Sequence, residues 1–193
     1  MIHAVSARKG NWIETFTGRQ FYPLDPRPED VDIEDIAHAL SLICRFNGHT
    51  KYHYSVAQHS VYCAQLALSR GYTSLVALYA LLHDAAEAYC CDIPRPLKPS
   101  LTDYAAIEDG IMAVIYARYG LTVPREDMHK IIKQLDDAVL CSEARTLMSK
   151  HEWVPAGKNV VRIRPMYPLD AQVEFMWLWR ELGPKEDGEG AVK

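Results

Sequence analysis

The chain has 193 residues, of which 49% are hydrophobic and 24% are charged, with a formal net charge of -4 and a pI near 6.0. These values are ordinary for a soluble globular protein and allow one domain with a sizeable core. The acidic balance excludes the basic footprint of a protein that binds duplex nucleic acid. The sequence has no run of about 18 apolar residues and no apolar signal core at its start. We therefore predict a cytoplasmic protein that does not enter a membrane.

The sequence of the amino-terminal part predicts a hairpin followed by a helix. Residues 12–22 form two short β-like arms around Thr17 and Gly18, and the prolines between residues 23 and 28 then prevent a helix. An acidic first turn opens a helix from residue 32 to about residue 46, along which apolar residues recur at helical spacing. Asn47 and Gly48 are expected to end it.

The rest of the chain predicts further helices. Ser55 caps a helix that reaches about residue 70, and Thr73 caps one that runs through His83 to about residue 90. Other helices are expected at residues 103–120, 124 to about 149, and 170–182. Residues 159–164 alternate like a short strand that could pair with the hairpin.

These elements predict an all-α fold, a helical bundle with a small β-hairpin decoration. We expect one domain over residues 1–183 and a disordered, polar tail over residues 184–193. The cysteines lie mostly in apolar helical patterns, form no CxxC pair, and are typical of reduced core residues. They are Cys44, Cys63, Cys90, Cys91 and Cys141. A zinc site at Cys90 and Cys91 is disfavoured because vicinal cysteines rarely suit one tetrahedral ion.

The apolar stretch at residues 81–88 carries ionisable groups. His83 and Asp84 are adjacent, and Glu87 follows one turn later. Placing such groups in a buried helix is costly unless each is paired or bound to a metal. On a helix, Glu87 is four residues after His83 and three after Asp84, so the three side chains project from one face. That arrangement could hold a cation.

Ligand-type residues on two other predicted helices add to this pattern. His59 lies on the second helix, and Asp136 lies on the fifth. Asp136 faces inward because apolar residues occupy its helical neighbour positions, whereas Asp137 shares its face with Lys133 and is interpreted as a surface ion-pair partner. Glu143, further along the inward face, could brace the site.

The order of one histidine, a His-Asp pair and a later aspartate resembles the HD-domain metal-dependent phosphohydrolases. The chain looks most like the bacterial 5'-deoxynucleotidases and the phage dATP triphosphohydrolases. Those enzymes carry an Arg-aromatic pair before the first histidine, a glutamate after the His-Asp pair, and then a Pro-x-x-x-Lys element. Here the corresponding residues are Arg45 and Phe46, Glu87, and Pro94 to Lys98. The resemblance runs from about residue 33 to residue 148 and implies an HD-domain bundle.

The resemblance implies one divalent metal ion bound by His59, His83, Asp84 and Asp136. Two imidazoles and two carboxylates suit Mn, Fe, Co, Ni or Zn and do not exclude Mg. Such an ion would activate a water molecule for direct attack on phosphorus. Glu87 is then the candidate general acid or base. Alternatively, Glu87 holds His83 or His59 by a hydrogen bond.

The resemblance also implies the residues that bind substrate. Lys98 would bind phosphate, Arg45 the phosphate or the sugar, and Phe46, where relatives often carry tryptophan, would pack at the nucleoside. Arg95 is either a second phosphate ligand or a solvated charge, and His49 either lines the pocket or is a plain loop histidine. Structural or surface roles are expected of His38, His53, His129 and His151.

The function expected from this resemblance is hydrolysis of a nucleotide, either a dNMP to nucleoside and phosphate or a dNTP to nucleoside and triphosphate. Guanosine tetraphosphate hydrolysis is disfavoured because Ala88 breaks the HDxxED signature, and the Gly-Tyr-Pro motif of cyclic-di-GMP phosphodiesterases is missing. The alternative is a non-catalytic nucleotide-binding or regulatory protein. The expected partner is a small nucleotide, and the resemblance implies a homo-oligomer.

Overall fold

The computed structural model describes residues 8–185. Within them the hairpin predicted from the sequence is a two-stranded antiparallel sheet of β1 (Ile13–Glu14) and β2 (Gln20–Phe21), with Ile13 opposite Phe21. The helices are α1 (Ile33–Leu42), α2 (Val56–Ser69), α3 (Ser74–Leu82), α4 (Glu87–Cys90), α5 (Tyr104–Arg118), α6 (Glu126–Leu147) and α7 (Pro168–Leu182). The predicted all-α bundle with a small hairpin is confirmed. From residue 186 onward, the predicted disordered tail lies outside the described residues.

Side-chain caps begin α2 and α3 at the predicted residues, and Asp32, predicted as part of an acidic first turn, caps α1. The Asp32 carboxylate accepts a hydrogen bond from the first turn of α1, Ser55 does the same for α2, and Thr73 does so for α3. Each cap satisfies an amide that has no partner within its helix. Gly71 then ends the α2 segment with a φ of +78°, a conformation that favours glycine.

Helix α2 lies at the centre of the bundle, in contact with α1, α3, α6 and α7. Its residues from Val56 to Val61 are all buried, so the ionisable ring of His59 lies inside the core. Leu81 and Leu82 from α3 and Leu135 from α6 are buried in the same core. No helix within residues 8–185 has the length and hydropathy needed to cross a membrane.

The predicted continuous helix from Thr73 to about residue 90 is wrong, because residues 83–86 interrupt it. There the backbone forms tighter turns, in which the Ala85 amide donates to the Leu82 carbonyl at 2.9 Å and the Glu87 amide donates to the Asp84 carbonyl at 3.0 Å. The His83 ring donates from Nδ1 to the carbonyl of Ala80 at 2.8 Å. In a continuous α-helix that carbonyl would accept from the amide of residue 84. The histidine side chain therefore competes with the helix at the point where α3 ends.

Helix α1 ends at Leu42, four residues earlier than predicted, because the chain turns away before Arg45. A short 3-10 turn, Arg45–Gly48, follows, and in it Phe46 and Asn47 have left-handed φ angles of 54° and 50°. Side chains with a Cβ adopt this conformation at a cost of about 1–2 kcal/mol each. The turn is therefore a strained point of the backbone, next to the buried guanidinium of Arg45.

The predicted strand at residues 159–164 is also wrong. The amide of Val160 donates to the Ser142 hydroxyl on α6 at 3.0 Å instead of to a strand. Ile163 packs with Tyr54 and Leu147 in a small apolar cluster. The alternating apolar residues thus serve to attach an irregular segment to α2 and α6.

Candidate metal centre

Four side chains from separate parts of the chain converge near the amino-terminal end of α2. The Nε2 atom of His59 lies 3.3 Å from Nε2 of His83 and 3.3 Å from Oδ1 of Asp136. It also lies 3.6 Å from Oδ2 of Asp84, and that oxygen is 3.3 Å from Nε2 of His83. The sequence spreads these residues over more than 70 positions, so only the packing of α2, α3 and α6 brings them together.

These separations match those between the ligands of one transition-metal ion. Nitrogen and oxygen ligands about 2.1 Å from an ion lie about 3.4 Å apart in a tetrahedral shell and about 3.0 Å apart in an octahedral shell. The four separations given above, 3.3–3.6 Å, are close to or slightly longer than these values. Each of these pairs is therefore near enough to bind one small divalent ion together, and a five- or six-coordinate ion would keep positions for water and phosphate.

The hydrogen bonds of the His59 and His83 rings leave Nε2 of each ring available to bind a metal ion. Nδ1 of His83 donates to a backbone carbonyl, and Nδ1 of His59 donates to the carboxylate of Glu143 at 2.6 Å. In a neutral ring the remaining Nε2 atom then carries a lone pair. When both rings are neutral, two such lone pairs face each other beside two carboxylates, and a cation bound there would replace the proton that these carboxylates otherwise hold on His59. Burial lowers the pKa of His59, but the negative groups around the ring outweigh it and raise the pKa well above its usual value.

Glu143 forms hydrogen bonds with three side chains on the Nδ1 side of the His59 ring. Its side chain is fully buried, and it accepts hydrogen bonds from the Tyr54 hydroxyl at 2.8 Å and from Nε of Arg45 at 3.3 Å, in addition to His59. Burial raises the pKa of the Glu143 carboxyl, but Arg45 and His59 outweigh this effect and lower it to about 2. The predicted bracing role of Glu143 agrees with these contacts.

Asp136 and Asp137 have different environments in the structure, as the sequence predicts. The Asp136 side chain is 14% exposed and faces His59, whereas the Asp137 side chain is 48% exposed. Lys133 contacts Asp137 at 2.6 Å, which confirms the predicted surface ion pair. The same ammonium lies 2.9 Å from Oδ2 of Asp136. Lys133 therefore holds the oxygen of Asp136 that does not face His59.

No family model matches the chain. YfdR of Escherichia coli K12, an uncharacterized protein, is 46% identical over 179 residues, which cover 89% of this chain and 96% of YfdR.

This chain belongs to the YfdR family.

A second relative is the uncharacterized Rhodobacter capsulatus protein RCAP_rcc00048, which is 39% identical over 118 residues, 58% of this chain and 60% of that protein. A solved structure of the cyanophage S-2L HD phosphohydrolase DatZ, bound to dA and one catalytic Zn²⁺ ion, superposes with a TM-score of 0.45 and 19% identity. The match covers 76% of this chain and 94% of DatZ. Similarity at that level does not bear on the fold or the function of the YfdR-family chain.

Glu87 lies at the start of α4 and is only 3% exposed. Its Oε1 atom is 3.8 Å from Nζ of Lys98, and its Oε2 atom is buried without a hydrogen-bond partner among residues 8–185. Burial, followed by the charge of Asp84, raises the pKa of Glu87 well above its usual value. The alternative expectation that Glu87 holds His59 or His83 is wrong, because Glu143 and the Ala80 carbonyl occupy the Nδ1 atoms of those rings.

The predicted substrate-binding cations are all paired with carboxylates. Arg45 is buried and donates from Nη1 to Asp84 at 3.3 Å, in addition to its bond with Glu143. Arg95 contacts Asp136 and Asp137 at 3.4 and 3.3 Å. These contacts place both arginines beside candidate metal ligands.

The other predicted substrate-binding residues are Lys98, Phe46 and His49. Lys98 is bonded to Glu108 at 2.9 Å and is half-buried. The Phe46 ring is 5.7 Å from the guanidinium of Arg45, and His49 is exposed at the end of the same turn. Their substrate-binding roles stay predictions.

A cavity of about 560 Å³ opens beside the candidate ligands, between α5 and α6. His83, Asp84 and Asp136 form part of its wall. The predicted substrate-binding residues do not line this cavity, and the sequence interpretation missed the polar residues that do. These are Glu108, Asp109, His129 and Lys133. The position of Lys133, one turn before Asp136, is the signal that could have identified it, whereas nothing local in the sequence points to Glu108 or His129.

Proposed function

We propose that this protein is an HD-type, metal-dependent phosphohydrolase that cleaves the phosphate ester of a nucleoside monophosphate. The observation that carries the proposal is the convergence of His59, His83, Asp84 and Asp136 at distances of 3.3–3.6 Å. Each histidine presents Nε2 to the others because an acceptor holds its Nδ1. Structural histidines and aspartates of a core have no need of this arrangement.

The proposed ligands are the four convergent residues, and the ion is divalent. When bound, such an ion polarises a phosphoryl oxygen and makes water acidic enough to supply a nucleophile at neutral pH. Glu143 keeps the His59 ring in the required tautomer, and the Ala80 carbonyl does the same for His83. Arg45 and Lys133 each hold a carboxylate of the site in position through Asp84 and Asp136.

Glu87 is the proposed proton-transfer residue. A buried carboxyl with a raised pKa retains a proton at higher pH than an exposed one. The Oε2 atom has no partner in the described chain, so it is the atom that would carry a proton to or from a bound phosphate ester. The nearby Lys98 ammonium would stabilise the carboxylate that remains after the proton has left.

The local charge favours a monophosphate over a triphosphate. Carboxylates around the site outnumber basic side chains, and each basic side chain there already contacts one. The acidic residues are Asp84, Glu87, Asp92, Glu108, Asp136, Asp137 and Glu143, and the basic residues are Arg45, Arg95, Lys98 and Lys133. A phosphate monoester carries about two negative charges, fewer than a triphosphate, so it adds less repulsion to this acidic site. Among the described residues, no uncompensated cluster of cations is present for two further phosphates.

A substrate panel tests this proposal. The protein loaded with Mn²⁺, Co²⁺, Zn²⁺ or Mg²⁺ is incubated with deoxynucleoside and ribonucleoside mono- and triphosphates, and the products are identified. We expect orthophosphate from monophosphates, with loss of activity in Asp84→Asn and retention in the matched surface variant Asp137→Asn. Release of intact triphosphate from a dNTP would overturn the choice of substrate. Stoichiometric metal without turnover of any nucleotide would favour the non-catalytic binding protein.

Other expectations remain predictions. A homo-oligomer would appear as a multiple of 21.9 kDa in light scattering coupled to size-exclusion chromatography. The cytoplasmic location and the single domain over residues 1–183 are tested by fractionation and by limited proteolysis, respectively.

A further inference from the structure

Helix α7 is apolar on two opposite faces. Its inner face packs against α1, α2 and α3, with Ala171, Phe175 and Leu178 buried. A surface helix normally carries charged or polar residues on the side that faces solvent. Here the solvent side carries three large apolar residues, each one turn after the last. They are Leu169, Val173 and Trp177, whose exposed fractions are 68%, 58% and 55%.

These three residues form one stripe, which we call the outer face of α7. Residues four apart differ by about 40° around a helix axis, so Leu169 and Trp177 lie on either side of Val173. Within residues 8–185 no element covers the outer face, since more than half of each residue is exposed. Single exposed apolar residues are ordinary, whereas a contiguous stripe marks an interaction surface.

The exposed apolar surface continues from α7 to α1 and the hairpin. Gln172, next to Val173, lies 3.2 Å from Nδ1 of His38 on α1, and the His38 ring stacks on Phe16 with the ring centroids 3.7 Å apart. Phe16 is exposed, as is Leu42, one turn after His38. A stable dimer typically buries about 800 Å² of each partner, which one helical stripe does not supply. The neighbouring residues on α1 and the hairpin enlarge the surface toward that size.

The charges beside the outer face have opposite signs at its two ends. Asp170 lies in the first turn of α7 and Arg180 in the last, and both are exposed. In an antiparallel pair of α7 helices related by a two-fold axis at Val173, these two residues lie about 6 Å apart along the axis, which an arginine side chain spans. A parallel pair would instead place each charge beside the same charge of the other copy.

We infer that the outer face of α7 is the interface of a homodimer, in which two copies of this chain pack their α7 helices antiparallel across a two-fold axis near Val173. In this arrangement Leu169 of each copy lies opposite Trp177 of the other, so a smaller side chain faces a larger one. The same surface is used by both copies, as closed two-fold symmetry requires. The inference does not depend on the metal centre or on the proposed activity.

A membrane surface is the main competing occupant of an apolar helical face. Helices that lie on membranes carry lysine and arginine beside their apolar stripe. Helix α7 instead carries three carboxylates and one basic side chain, so an anionic lipid surface would repel it. The carboxylates are Asp170, Glu174 and Glu181, and the basic residue is Arg180.

Light scattering coupled to size-exclusion chromatography of the intact protein tests the interface. We expect a mass of twice 21.9 kDa for the parent and for the control Leu75→Glu, which changes an exposed apolar residue on α3. Trp177→Glu should weaken the dimer at least about thirtyfold, since it places a charge in the apolar stripe. A monomeric parent, or a dimer of unchanged affinity in Trp177→Glu, would overturn the inference. So would a monomeric parent that binds vesicles of phosphatidylcholine and phosphatidylserine, which would assign the face to a membrane.

Charge reversal tests the antiparallel arrangement. Asp170→Arg and Arg180→Asp should each weaken the dimer about tenfold, because each creates two like-charge contacts across the two-fold axis. The variant with both changes should recover the parental affinity. Each change also places an unfavourable charge at its end of the helix, so the recovery cannot come from better folding. Losses that add in the double variant would overturn the antiparallel pairing, and these variants decide the question if Trp177→Glu does not fold.

Discussion

Glu143 offers a sharp test of how the site is held together. The Glu143→Gln substitution keeps the shape of the side chain but removes its charge. The side chain is fully buried, and one of its oxygens accepts hydrogen bonds from both His59 and Tyr54 while the other accepts from Arg45. A glutamine amide has one acceptor and one donor group, so its NH₂ must face one of these donors. At least one contact is therefore lost.

Glu143→Gln should lower both the metal affinity and the folding stability. Loss of the carboxylate that orients a metal-binding histidine typically costs about 10–100-fold in metal affinity, or about 1.4–2.7 kcal/mol. In the metal-free protein, the pKa of Glu143 falls from 4.5 to about 2, which corresponds to about 3 kcal/mol of folding stability. Because the folded pKa is the lower one, this stability is present above pH about 4.5 and is lost as the pH falls toward 2.

Zn²⁺ affinity and urea denaturation at several pH values check these effects. We expect Glu143→Gln to bind Zn²⁺ more weakly and to be less stable at pH 7, with the gap to the parent closing between pH 4.5 and 2. The matched control is Glu126→Gln on the same helix, where the side chain is 84% exposed and contacts Lys130. This control should leave both quantities unchanged.

Parental Zn²⁺ affinity in Glu143→Gln would refute the idea that Glu143 orients His59. A stability gap that persists unchanged at low pH would refute the electrostatic account, because a protonated glutamate and a glutamine should then be alike. A loss of stability without a loss of metal affinity would restrict Glu143 to a role in folding.

Three further changes test individual parts of the centre. Asp136→Asn should lose stoichiometric metal in elemental analysis while Asp137→Asn keeps it, and equal metal content in the two would contradict the assignment of the inward aspartate. Glu87→Gln should bind metal normally but hydrolyse nucleotide about 10²–10⁴-fold more slowly, and a parental rate would rule out proton transfer. Ser55→Ala should lower the stability by about 1 kcal/mol in thermal denaturation, because its hydroxyl caps the helix that carries His59, and an unchanged midpoint would show that this cap contributes little.

Local features of the chain were predictable because their causes lie within a few residues. The caps at Ser55 and Thr73, the acidic start of α1 at Asp32 and the hairpin around Gly18 follow from side-chain chemistry and turn preferences. The choice of Asp136 over Asp137 follows from the helical period. Where prediction failed locally, a specific contact overrode the pattern, as when the His83 ring took the Ala80 carbonyl and ended α3.

The sequence by itself thus determined the helices, their beginnings and the inward-facing ionisable residues, because periodicity and capping are encoded at short range. Only the tertiary structure decided which of these residues meet. The contact between His59 and Glu143 joins positions 84 residues apart. Such distances depend on the packing of side chains throughout the core, which no local spacing records.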